Sequence, residues 1–214
     1  RQNLTYNTSD NVTLVGESKY DNEGRQAVSV IPAPVVGRNL LYQHNFNMMS
    51  SSNVFDEEEI EQTTVPPLST ISGAASYFSQ NNGFTSDLFR DAIPDAKGYV
   101  FSQTIYRNDG SGRIERVGGI GEKFQAGGDR AVRTWYGSTN TVELKRLFGD
   151  NVGDVPQGYR KDMVEDANDQ LSVTYYDQRG NTIATALAGV SPDNLRKLDY
   201  VEETITTPLN SNNV

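Results

Sequence analysis

The chain has no cysteine, one histidine and one tryptophan in 214 residues. Without cysteine it has no disulfide, no thiolate nucleophile and no cysteine-ligated zinc. A single histidine, His44, excludes a multi-histidine metal site within the chain. It leaves one candidate base for a Ser-His-Asp triad, but nothing near it resembles a nucleophile elbow. With Tyr42 and Phe46 around it, His44 reads as structural. Long apolar runs are missing too, and no stretch approaches the length of a membrane span. No signal-peptide pattern opens the chain. It starts at Arg1 rather than Met, as expected of a processed product or an excised piece.

Positive charge is also scarce. There are 19 Lys and Arg against 28 Asp and Glu, for a formal net charge of −9. An acidic surface repels phosphate backbones and anionic bilayers, so neither nucleic acid nor direct membrane insertion is expected. Only 36% of residues are apolar, but 11 Tyr and 8 Phe are spread along the chain. That distribution argues for burial in strands rather than for disorder.

The most informative stretch is Tyr20-Asp21-Asn22-Glu23-Gly24-Arg25. It recurs as Tyr176-Asp177-Gln178-Arg179-Gly180-Asn181, and more loosely from Tyr106 through Asn108, Asp109 and Gly110 to Gly112-Arg113. Each copy lies between two β-prone runs. Asp at the first position of a type I turn accepts a hydrogen bond from the backbone two residues on. Gly at the last position tolerates a positive φ. Such a turn followed by a left-handed Gly is a common hairpin loop.

Other segments fit this frame. Val12, Leu14 and Val15 suggest a short strand. The strand over 26–31 should end at Pro32-Ala33-Pro34 or lie on an edge there, because proline cannot continue a ladder. Residues 35–98 read as an irregular insertion on the surface, packed down by its aromatics, with one more strand or extended segment at Leu40, Tyr42 and Phe46. A helical turn is expected at 87–92. Strands follow at 99–106, 114–117 and 130–136. Asn140 caps a helix, with Glu143 as its capping-box partner and Gly149 as its stop. Leu144, Leu147 and Phe148 form its apolar stripe, which should lie on a sheet. A meander follows, with strands at 159–164, 171–176 and 182–187 and a turn at 166–169. A short helix is expected at Ser191-Pro192 and a last strand around 200–206. The expectation is an all-β chain of repeated antiparallel hairpins with one or two short helices, forming a single segment over 1–214.

Several candidate sites carry little weight. Asn3, Asn7 and Asn11 stand in N-glycosylation sequons, which read more simply as an Asn/Thr-rich turn region. The acidic run 56–59 reads as a solvated face. The Asp166, Asn168 and Asp169 turn lacks the full pattern of a calcium loop and its closing Glu. Gly118-Gly119-Ile120-Gly121 lacks the Gly-Lys-Ser/Thr ending of a phosphate loop, and close chain approach explains it better. No catalytic residue, metal or cofactor is expected.

The repeated Tyr-Asp-x-x-Gly turns resemble the YD repeats of Rhs-type proteins, and most closely the large Rhs-repeat proteins of Bacteroidetes. The similarity extends to Val28-Ser29-Val30-Ile31-Pro32-Ala33-Pro34, to Pro94-Asp95-Ala96-Lys97-Gly98-Tyr99 and to Gly112-Arg113 through Gly121. It continues over 143–149 and 173–189, and so covers roughly 17–190 in segments. Two departures stand out. Arg107 takes the place of Asp in the middle copy, and Asn181 replaces Arg after Gly180.

The resemblance implies a curved sheet that forms part of a spiral shell. The shell is secreted or held at the bacterial surface, often by the type IX route, and encloses or presents a toxin or other cargo located elsewhere in the parent chain. It implies no enzymatic role for this segment. The repeat motif would be Tyr20, Asp21, Gly24, Arg25, Tyr106, Gly112, Arg113, Tyr176, Asp177 and Gly180. Partners would be neighbouring repeats, an enclosed effector and proteins of secretion or attachment. The alternative is a surface adhesin or carbohydrate-binding β module using Trp135 and exposed tyrosines. A hydrolase built on paired carboxylates is the weakest reading.

Overall fold

A computed structural model describes residues 1–84, 92–149 and 158–189. The helical turn expected at 87–92 (apart from its last residue), the helix expected at Ser191-Pro192 and the strand expected around 200–206 lie outside the described residues. The strands are β1 (Gln2–Asn7), β2 (Val12–Tyr20), β3 (Gln26–Val36), β4 (Phe101–Tyr106), β5 (Ile114–Gly118), β6 (Val132–Ser138), β7 (Arg160–Glu165), β8 (Leu171–Tyr176) and β9 (Thr182–Leu187). They form one sheet in strict chain order from β1 to β9. Every neighbouring pair is antiparallel. The chain is thus a mostly antiparallel β protein. Its helices are short: α1 (Glu57–Ile60), α2 (Gly73–Tyr77) and α3 (Thr141–Phe148).

Strand β3 follows the edge alternative. It does not stop at Ile31 but runs through both prolines to Val36, opposite Val12. The reason lies in its neighbours. β3 pairs with β4 only over Val28, Ser29 and Val30, so its later half has a strand on one side alone. Proline is tolerated where the missing N–H faces no ladder partner, and the register shift opposite 15–17 absorbs the rest. Strand β1 had no apolar alternation to mark it; it is an Asn/Thr-rich edge strand held by pairing with β2.

The stretch 37–98 is a larger correction. Leu40, Tyr42 and Phe46 form no strand. The stretch does not simply lie on the surface but supplies about half of the core. Phe55, Ile60, Val65, Leu68, Ala74 and Ala75 are all buried, and they pack on Ala27, Val28, Val30 and Ala33 of β3 and on Val100 and Phe101. Phe55 and Phe101 are fully buried with ring centroids 5.9 Å apart. A sheet with one apolar face must bury it against something, and here the covering layer is the irregular chain.

That layer is tied down by polar side chains. Gln103 Nε2 donates to the carbonyls of Ile60 (3.1 Å) and Gln62 (2.7 Å). Asn47 Nδ2 donates to the Glu17 carboxylate at 2.7 Å, and Asn47 Oδ1 accepts from the Ala74 N–H at 3.0 Å. Each bond satisfies a backbone or side-chain group that the irregular chain would otherwise bury unpaired.

Helix α3 starts as expected. Asn140 accepts from the Glu143 N–H, and the Glu143 carboxylate accepts from the Asn140 N–H. Its apolar stripe is not buried as a whole. Leu144 is buried, whereas Leu147 and Phe148 remain exposed. An ion pair between Glu143 and Lys161 links the helix to β7. Beyond β5 the sheet thins out: in β6 to β9 only Val173 and Tyr175 are buried. The stability of the described residues therefore concentrates on the core around β3 and β4. Phe101→Ala should cost about 3–5 kcal/mol, read as an earlier urea midpoint.

Candidate functional site

The turns are the chemically distinctive part of the molecule. At the first, Asp21 Oδ1 accepts the N–H groups of Glu23 (3.0 Å) and Arg25 (2.8 Å). Asp21 Oδ2 pairs with Arg25 Nε at 2.7 Å. The Gly24 N–H donates to the Asp21 carbonyl at 2.9 Å, with Gly24 at φ +77°. The turn after β8 repeats this arrangement. Asp177 Oδ1 accepts from Arg179 (2.9 Å) and Asn181 (2.8 Å), and Gly180 stands at φ +86°. Asn181 Nδ2 takes the place of the guanidinium, donating to Asp177 Oδ2 at 2.9 Å. The departure at Asn181 thus keeps the carboxylate contact.

Two further turns complete the set. In the middle copy the Arg107 N–H donates to the Arg113 carbonyl at 2.8 Å, as Asp21 does to Arg25 at 2.9 Å. Arg107 supplies no carboxylate; Asp109 does, accepting the Ser111 N–H at 2.9 Å and pairing with Arg107 at 3.1 Å. At the opposite end of the sheet, Asp166 Oδ1 accepts from Asn168 (2.8 Å) and Gln170 (3.0 Å). Here Asp169 takes the left-handed position, at φ +63°. The turn was legible as a turn, but not as a relative of the other two, because it lacks both Tyr and Gly.

These bonds set the electrostatics. Burial pushes the Asp21 carboxyl up, but the Arg25 N–H and guanidinium together outweigh it, so its pKa lies below the ordinary value. Asn181 holds Asp177 low through its side-chain amide and its N–H. Ser111 does the same for Asp109 through its side chain and N–H.

The tyrosines link one hairpin to the hairpin before it. Tyr106, at the end of β4, lies against the Arg25 guanidinium (4.4 Å to the ring centre) and donates its hydroxyl to the Gln26 carbonyl at 3.1 Å. Tyr136 of β6 lies against Arg113 (5.0 Å) and Arg107 (5.8 Å) and donates to the Ile114 carbonyl at 2.9 Å. Tyr176 lies against Arg160, its cross-strand partner, at 5.0 Å. Tyr20, at the end of β2, is partly exposed opposite Gln26. Tyr106, Tyr136 and Tyr176 thus each contact an arginine of the preceding hairpin, whereas Tyr20 makes no such contact among the described residues. Tyr136 and Arg160 belong to this set and were missed. Tyr136 is followed by Gly137-Ser138 rather than by Asp, so the motif passes over it.

The remaining candidates have local explanations. His44 is exposed and meets Tyr42 edge to face at 4.8 Å. At Gly118 a side chain would run into the Ala126 backbone, and Gln125 Nε2 donates to the carbonyls of Gly119 and Gly121, both at 3.0 Å. That is close chain approach. Asn7 and Asn11 bond within the β1–β2 turn, to Asp10 (2.7 Å) and Tyr6 (2.9 Å). Among the described residues, no three His, Cys, Asp or Glu are grouped to hold a metal ion.

Two outcomes follow from the turns. Gly180→Ala should cost about 1–2 kcal/mol, because the left-handed backbone disfavours a Cβ; urea titration measures it. A carboxylate with a lowered folded pKa stabilises the fold above its unfolded value near ~3.9 and loses that effect as pH falls through the folded value. The urea midpoint should therefore drop on acidification below about pH 4, and Asp21→Asn should flatten that dependence. In comparisons with known proteins, no family model and no curated sequence matches the chain.

Proposed function

We propose that this chain is a non-enzymatic stretch of wall in an Rhs/YD-repeat shell. The shell is secreted or displayed at the bacterial surface and encloses or presents a cargo or toxin domain placed elsewhere in the parent chain. The observation that supports this reading is the coupling of hairpins in strict chain order. The hairpins β2–β3, β4–β5 and β8–β9 are closed by carboxylate-capped turns, and Tyr106, Tyr136 and Tyr176 each join their hairpin to an Arg of the hairpin before. Such a unit extends by repetition. Tyr106 and Tyr136 each meet an Arg and a backbone carbonyl of the hairpin before, and stacking buries surface that one hairpin cannot bury alone.

On this reading Asp21, Asp177, Gly24 and Gly180 are conformational parts. Partners are neighbouring repeats of the parent chain, an enclosed effector, and the proteins of secretion or attachment. No helix among the described residues is long and apolar enough to cross a membrane.

A segment cut from a wall exposes unpaired strand edges. Expressed alone, the chain should elute as oligomers or be poorly soluble. Leu187→Lys on β9 should shift it toward monomer, measured by light scattering. A wild-type chain that is monomeric and melts in one sharp cooperative transition overturns the wall reading.

A further inference from the structure

We infer that the seam between β5 and β6 binds an acidic sugar, with its carboxylate on Arg116 and Arg133 and its ring on Trp135. The seam is the weakest point of the sheet. β5 and β6 pair at only two positions, Arg116 with Arg133 and Val117 with Val132, whereas β6 and β7 pair at six. Beyond Arg116 the strands part. They leave a cavity of about 270 Å³ lined by Arg107, Glu115, Arg116, Arg133, Thr134 and Trp135.

The charges at this seam are unusual. Like charges directly opposite each other across two strands destabilise a sheet. Here one of only two pairing positions is Arg against Arg. Arg133 is partly neutralised, bonding Glu165 at 3.2 Å and the Gly128 carbonyl at 3.2 Å. Among the described residues Arg116 has only its chain neighbour Glu115 as a carboxylate partner, at 3.6 Å, well beyond the ~2.7–2.9 Å of a good charge-assisted bond. Arg25, by contrast, pairs with Asp21 at 2.7 Å. The cavity lining carries three guanidiniums and one carboxylate; Arg107 is paired with Asp109 at 3.1 Å and Arg133 with Glu165 at 3.2 Å, which leaves Arg116 the least closely paired of the three.

The shape and the apolar surface select the rest of the ligand. Trp135 is 41% exposed and Ile114 is 37% exposed. A flat indole at the cavity wall suits the C–H face of a pyranose ring, and a guanidinium fork suits a carboxylate. The volume lies at or below the small end of ligand pockets, roughly 300–1,000 Å³, which fits one sugar unit rather than a folded partner. The site uses no part of the turn-and-tyrosine repeat except Arg107, so it stands or falls separately from the wall reading.

Trp135 is the only tryptophan, so its fluorescence reports the site directly. The whole chain is titrated at low salt with galacturonate oligomers, neutral galactose oligomers and an oligoglutamate peptide. The expected result is a saturable change with the uronate alone. It should weaken at least tenfold in Arg116→Gln, weaken less in Arg116→Lys, and weaken as salt is raised. Near-ultraviolet circular dichroism confirms that each variant keeps its fold, and Arg116→Lys serves where Arg116→Gln does not. No saturable change with uronate, an unchanged response in a folded Arg116 variant, or tighter binding of oligoglutamate overturns the assignment.

Discussion

The register of this sheet depends on one kind of contact, a carboxylate that accepts the backbone N–H groups of its own turn. Asp21 and Asp177 each take two such N–H groups, and Asp166 does the same at the other end. A one-residue slip in a strand would move every side chain to the wrong face. With the turns closed in one way only, β3 delivers Val28 and Val30 to the covered face and Ser29 to the opposite one. Ser29 there stands opposite Ser18 on one side and Ser102 on the other. The core therefore depends on turns that are themselves largely exposed.

The two halves of the sheet use that register differently. Around β3 and β4 an irregular layer covers the apolar face, and Gln103 and Asn47 bond that layer to the strands. From β6 onward side chains are mostly half-buried or exposed, and the tyrosine contacts carry more of the coupling between hairpins. A ring held against a guanidinium, with its hydroxyl on a backbone carbonyl, needs no thick core. The joint between the halves, at β5 and β6, has the fewest paired residues among strands β4 to β9, and one of its two pairs is Arg116 against Arg133.

Motif and composition alone determined a good deal. An Asp first and a Gly last, between β-prone runs, admit few backbone conformations, so the hairpins around Asp21 and Asp177 were legible from local chemistry. The same holds for α3, whose Asn140 and Glu143 satisfy each other within one turn. The absence of cysteine and of a second histidine determined which chemistries the chain lacks. Tertiary structure alone decided what lies far apart in sequence. The burial of Phe55 against Phe101, the passage of β3 through two prolines, and the meeting of Arg25 with Tyr106 all involve neighbours that a local pattern cannot specify. Turn geometry is set within a few residues, whereas burial and cross-strand contact are set by whatever chain the fold brings alongside.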